Sequence, residues 1–319
     1  MAYLRKTSRA AENAEVALSF IEPVYGLIMI LNTFPVQEIG IVARELLMQE
    51  QEALVIGVSR HGIFLRLSMG WVIFLSYESF RGPLTLNIGE FAREGLRPTI
   101  NAAAKVIPEG IFFPELGFEL LTGSAQIWQI SPPSLPVSTL SQCRSRLKEV
   151  AFELIARGKT SEIGAALPAI LGFGAAEAEA SGYLSQMIRV KDAFRQRDAY
   201  AIVQALQVFC GVGRGLTPGG DDLIMGFLLA LNRWRDTLVP QLNLEALNLE
   251  IIKMAYRGTT NLAANLIECA SRGQADERLM FALDGILTGN PPPDQCAAYL
   301  AGWGNSSGLD ALTGIALAF

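Results

Sequence analysis

Histidine is almost missing: His61 is the only one in 319 residues. No site built on two histidines can form, and a Ser-His-Asp arrangement could rest only on His61. Cysteine is scarce as well. Cys143, Cys210, Cys269 and Cys296 are far apart and form no Cys-x-x-Cys pair, which excludes zinc-ribbon and thioredoxin-like sites and suits reduced, mostly buried thiols. Charged residues make up 18% of the chain against 50% hydrophobic, with a net charge of −5. That composition excludes intrinsic disorder, and it lacks the basic excess that nucleic-acid binding requires. Long apolar runs are absent too. Uncharged apolar stretches such as Pro23–Gln37 and Ala199–Gly213 fall short of the roughly 18 apolar residues of a membrane-spanning helix. Glu12, Glu15 and Glu22 interrupt any signal-peptide core near the start. A soluble, cytoplasmic protein is expected.

What is present divides the chain. From Ala53 to Ile130, short runs rich in Val, Ile, Phe and Leu (ALVIGVSRHGIFLRL, GWVIFLSY, GPLTLNI, GIFFPELGFELL, AQIWQI) are broken by Gly, Pro and Asn. They predict an N-terminal antiparallel β-rich domain, a small barrel or sheet, over 53–131. Residues 1–52 are expected to form an N-terminal helical segment, with a helix over Pro35–Gln51. The Pro- and Ser-rich stretch Ser131–Thr139 marks a boundary. Beyond it, 138–319 reads as an α-helical domain, with apolar residues at three-to-four spacing throughout. The class is α+β.

The stretch Gly211-Val-Gly-Arg-Gly-Leu-Thr-Pro-Gly-Gly-Asp-Asp222 is the most informative. Glycines at this density persist where backbone must turn sharply or approach something closely. Thr217 is expected as N-cap and Pro218 as the first residue of a buried helix running through LIMGFLLALN. Asp221 and Asp222, about 100° apart on that helix, suit different tasks. One would accept loop N–H groups; the other would face a ligand, a metal or Arg214. The plainer alternative is a tight loop with two capping acids. Gly226 and Ala230 form a small-residue stripe that would admit a closely packed helix. The loop is neither a dinucleotide-binding fingerprint nor a Walker A loop.

Two further segments share this character. Gly302-Trp-Gly-Asn-Ser-Ser-Gly-Leu-Asp310 offers Asn305, Ser306, Ser307 and Asp310 at a helix entrance, an anion nest or an ordinary cap. Arg257-Gly-Thr-Thr-Asn261 brings Arg257, Thr259 and Thr260 together, to grip a carboxylate or phosphate or merely to interrupt a helix. His61, beside Arg60, reads most simply as a sheet or turn residue.

Taken in order, these three segments resemble a bacterial family of long-unknown function that includes a subunit of oxamate carbamoyltransferase. The run HGIFLRLSMGWVIFLS followed by FRGPLTLNI is similar to that family's N-terminal half, so the resemblance spans most of residues 50–319. It implies a protein that works with other subunits interconverting oxalurate plus phosphate with oxamate plus carbamoyl phosphate.

The preferred reading is therefore an enzyme or enzyme subunit binding a small anionic metabolite of the carbamoyl phosphate or oxamate type. Asp221 and Asp222 are the catalytic candidates. Gly213, Arg214, Gly215, Thr217, Gly220, Arg257, Thr259, Thr260, Asn305, Ser306, Ser307 and Asp310 are the substrate-binding candidates, with Mg²⁺ held through water as an option. Two alternatives stay open. One is a Mg²⁺-dependent hydrolase or phosphotransferase in which Asp221, Asp222 and Asp310 bind the metal directly. The other is a non-catalytic regulatory or scaffolding subunit. Partner subunits and a homo-oligomer are both open; nucleic acid and membrane are not expected.

Overall fold

The computed structural model describes residues 32–131, 133, 138–174, 181–238 and 242–319. The chain splits into two compact units, one within 1–128 and one within 129–319.

The first unit is a ten-stranded sheet. In chain order its strands are β1 (Asn32–Pro35), β2 (Glu38–Gly40), β3 (Gln51–Ser59), β4 (Gly62–Leu67), β5 (Val72–Ser76), β6 (Thr85–Asn87), β7 (Ala103–Ile107), β8 (Gly110–Phe113), β9 (Phe118–Leu121) and β10 (Gln126–Trp128). The spatial order is β1-β9-β8-β7-β3-β4-β5-β6-β2-β10. Most pairs are antiparallel, while β1–β9, β2–β10 and β5–β6 run parallel. Only Val36 and Gln37 separate β1 from β2, yet the two strands lie near opposite ends of that order. Val36 donates its N–H to Leu121 O at 2.8 Å, at the end of β9, and Gln37 donates to Asn87 O at 2.9 Å on β6. One short stretch of chain thus bonds to both ends, which requires the sheet to curl back on itself. The alternation of β4 shows what the curl encloses: Ile63, Leu65 and Leu67 are buried, while Arg66 between them is exposed. They join Val55, Leu75, Leu86, Ile111, Phe113 and Phe118 in one core. Gly62, which turns the β3–β4 hairpin at φ +156°, has no room for a side chain, since a Cβ there would lie 2.1 Å from Leu75 O.

Two short helices accompany the sheet, α1 (Ile41–Leu46) and α2 (Gly89–Gly95). The expected helix over Pro35–Gln51 is therefore confined to α1, between strands on both sides. Glu38 and Ile39 of β2 pair with β6 instead, a tertiary pairing that overrides local preference. Of the segment 1–52, residues 1–31 lie outside the described residues.

The second unit is helical, as the apolar spacing predicts. Its helices are α3 (Leu140–Ala156), α4 (Leu167–Leu171), α5 (Ser181–Gln196), α6 (Ala199–Gln207), α7 (Gly219–Arg233), α8 (Arg235–Leu238), α9 (Leu244–Gly258), α10 (Asn261–Ala270), α11 (Glu277–Thr288), α12 (Pro293–Ala301) and α13 (Ser307–Leu317). A Thr139 capping box opens α3. The helical run breaks at Thr259, where Thr260 caps a new helix. Every residue of α7 from Gly220 to Leu231 is buried, as is α13 from Gly308 to Leu317. These two helices form the centre of the unit. Cys143, Cys269 and Cys296 are free and buried, with Cys210 half-buried; burial pushes the thiols of Cys269 and Cys296 up to about 12, so neither forms a reactive thiolate near neutrality. Among the described residues no helix is long and apolar enough to cross a membrane.

The α7–α13 contact is made by glycine. A Cβ on Gly226 would lie 2.1 Å from Ala311 O, and one on Gly314 would lie 1.9 Å from Leu223 O. Backbone meets backbone at both points, so Gly314→Ala must push the helices apart. We expect it to destabilise by about 3 kcal/mol or more, seen as a fall of roughly 6–12 °C in Tm. Gly182→Ala on α5, where a Cβ meets nothing within 4 Å, should be neutral or mildly stabilising. Equal responses in the two variants would contradict the close packing.

Candidate functional site

The loop entering α7 is folded by its glycines. Gly211, Gly213 and Gly215 take φ of +74°, +121° and +95°, a region that side chains disfavour. Gly213 lies against the first turn of α7, its Cβ position 2.7 Å from Gly219 N. Gly220 donates its N–H to Val212 O at 2.9 Å, and its missing side chain makes room for Phe209 O. The helix begins one residue later than the sequence suggests. Pro218 is the N-cap at ψ 144° and Gly219 the first helical residue; proline at the cap leaves no N–H to satisfy and presets φ. Thr217 is half-buried just outside.

The adjacent acids do different work. Asp221 is saturated by its own fold: Oδ1 accepts the Gly211 N–H at 2.9 Å, and Oδ2 accepts the Thr259 hydroxyl. It ties the loop to the α9–α10 junction, where Thr260 caps α10 through the Ala263 N–H and donates its hydroxyl to Leu216 O at 2.5 Å. The Arg257–Asn261 segment is thus a helix interruption whose hydroxyls serve the glycine-rich loop. Asp222 is as deeply buried, at 2% exposure, but its Oδ2 has no hydrogen-bond partner.

Asp310, on the first turn of α13, sits against the start of α7. A Cβ on Gly219 would be 2.8 Å from its Oδ2. Its Oδ1 accepts the hydroxyl of Ser161, which itself accepts the Gly164 N–H at 2.6 Å. Sequence reasoning missed Ser161. It lies 149 residues from its partner in a short polar stretch after α3 that carries no motif. Ser306 and Ser307 open α13, whose cap has no side-chain bond; instead Ser307 bonds toward Asp222 and Ser306 toward Asp310. The preceding turn is pinned by Lys159, whose Nζ donates to Asn305 O at 2.9 Å, and by Arg278, which donates to Gly302 O at 2.8 Å.

The structure therefore gathers Asp222, Asp310, Ser306 and Ser307 where the first turns of α7 and α13 meet, with Asp221, Thr259 and Thr260 behind the loop as its fastening. Gly213, Arg214 and Gly215 are exposed on the loop, as are Arg257 in the last turn of α9 and Asn305 in the turn before α13, and among the described residues neither arginine makes an ion pair with these acids. His61 lies in the β3–β4 turn, its Nδ1 2.7 Å from Glu78 Oε1 and its Nε2 2.7 Å from Arg60 Nε, as a turn residue. Among the described residues no three potential metal-ligating side chains converge, and both Asp221 oxygens are already used.

Burial dominates the electrostatics. It raises Asp222 well above the ordinary carboxylate value, against the Ser307 hydrogen bond and with the Asp310 and Asp221 charges adding to it. It raises Asp310 to about 6, opposed by Ser161 and Ser306. Desolvation also lifts Asp221, held back by Thr259 and Gly211.

Residues 209–319 match the family described as oxamate carbamoyltransferase subunit AllH. The match spans 111 of the 319 residues. It takes in the glycine-rich loop and α7 to α13; the resemblance over the N-terminal half lies outside the matched residues. No curated protein and no solved structure matches.

A raised carboxyl makes the folded state bind protons more tightly than the unfolded chain, so stability falls as pH rises through the folded value. For Asp310, moving from 3.8 to about 6, the loss is about 3 kcal/mol spread between pH 4 and 6. Asp222, also raised by burial, adds a fall in the same direction. Asp222→Asn should therefore raise Tm at pH 8 more than at pH 5. A variant destabilised equally at both values would contradict this.

Proposed function

We propose that the helical unit binds a small metabolite carrying both an anionic end and an amide N–H, of the carbamoyl phosphate or oxamate type, and serves as a carbamoyltransferase subunit in the cytoplasm. The observation that carries this reading is the Asp222 carboxyl, buried and with one oxygen unpartnered, where two helix N-termini meet. A buried acceptor without a partner costs roughly 1–3 kcal/mol, and such a cost persists at sites that a ligand completes. Helix N-termini and hydroxyls favour the anionic end, here with Ser306 and Ser307; the carboxyl of Asp222 suits the amide. Arg214, exposed on the glycine-rich loop, and Arg257, exposed at the end of α9, would neutralise charge as the ligand enters, and the loop at Gly213 and Gly215 would move to admit it.

The chemistry is acyl transfer. A phosphate oxygen attacks the carbamoyl carbonyl carbon of oxalurate, the C–N bond breaks, and the departing nitrogen takes a proton to give oxamate beside carbamoyl phosphate. This chain's part is to hold the amide and spread the charge that develops on the carbonyl oxygen. The name of the matched family also supports partner subunits.

Binding is tested by thermal unfolding with carbamoyl phosphate and with oxamate. A ligand at about 100 times its Kd stabilises by roughly 2.7 kcal/mol, a shift of several degrees. The shift should shrink in Ser307→Ala and vanish in Asp222→Asn. No shift with either ligand, both alone and after co-purification with partner subunits, would overturn the reading.

A further inference from the structure

A cavity of about 390 Å³ lies between α11, α12 and the end of α7, within the range of small-molecule pockets. Phe281 and Asp284 on α11 face it from adjacent turns, and Gln295 and Tyr299 from α12, while Trp234 and Asn290 border it as well. The Phe281 and Tyr299 rings are 5.5 Å apart and tilted by 48°, so part of the wall is aromatic. Asp284 is a fixed acceptor: Arg233 grips it through Nε at 2.7 Å and Nη2 at 2.5 Å, and the Trp234 indole N–H bonds Oδ1 at 3.0 Å. Three donors leave lone pairs on its oxygens. The amides of Asn290 and Gln295 are exposed and make no side-chain bond among the described residues, so each can both give and take a hydrogen bond.

The charges select the ligand. Arg233 already neutralises Asp284, and Arg146 bonds the carbonyls of Ile286 and Leu287 at the end of α11. A cationic ligand would find the carboxylate's charge already balanced by Arg233, and an anionic one would face the Asp284 carboxylate. An uncharged ring escapes both and stacks on the aromatic wall. We propose that this cavity binds a planar, uncharged nitrogen heterocycle of nucleobase size, with a ring N–H on Asp284 and its polar edge on Asn290 and Gln295.

The test is calorimetry and saturation-transfer NMR on the full chain with adenine and uracil, against toluene and benzamidine. Saturable binding of at least one base, stronger than that of both controls, is expected. Because Asp284→Asn disturbs a buried ion pair, the diagnostic changes are at exposed positions. Phe281→Ala and the double change Asn290→Ala with Gln295→Ala should each weaken binding about tenfold. Failure of both bases to bind, binding no stronger than that of toluene or benzamidine, or affinities untouched by these changes would overturn the proposal.

Discussion

The near contact of two helix backbones governs the helical unit. Gly226 of α7 and Gly314 of α13 each leave room for a carbonyl of the other helix, and Gly308 does the same toward Leu300 O. At that separation the first turns of α7 and α13 cannot avoid one another. Gly219 then stands against Asp310, and Asp222 is shut in beneath Ser307. The acidic centre results from packing, and the packing depends on side chains that are not there. A methyl group at any of these positions would separate the helices and open the site to water, where carboxylates titrate ordinarily.

The electrostatic consequence runs against stability. Ion pairs elsewhere in the unit, such as Arg233 with Asp284, hold their acids with opposite charge; the acids between α7 and α13 are offered hydroxyls and N–H groups. Hydroxyls satisfy part of a carboxylate's demand but cannot balance its charge, so desolvation prevails and the native state favours protons there. Asp221 shows the contrast in adjacent positions. Its oxygens are used by Gly211 and Thr259, which makes it a fastening for the loop, whereas Asp222 retains an unfilled acceptor. One helical step, with its turn of about 100°, separates a structural acid from a candidate ligand-binding one.

Much of this was legible in the sequence, for physical reasons. Glycine density before two acids and an all-apolar helix identified the start of α7, and Gly226 announced a close neighbour. The identity of that neighbour was not legible, because Gly314 lies in an apolar run where small residues are unremarkable. Ser161 was invisible for the same kind of reason: a single hydroxyl far along the chain acquires meaning only when folding carries it to Asp310. In the sheet, hydrophobic alternation marked β3 to β5, but β1 and β2 are too short for a period and are strands only because the curled sheet offers them partners. The one-residue error at Pro218 reflects proline's suitability for either the cap or the first turn.

The central claim is that the α7–α13 junction holds Asp222 as a buried, proton-favouring carboxyl awaiting a partner. Selective ¹³C labelling of aspartate, with the side-chain carbonyl of Asp222 assigned from Asp222→Asn, would follow its titration directly. The account predicts a midpoint well above that of ordinary aspartates. A midpoint in the ordinary carboxylate range, near 4, would show Asp222 to be solvated or already paired, and would contradict the account.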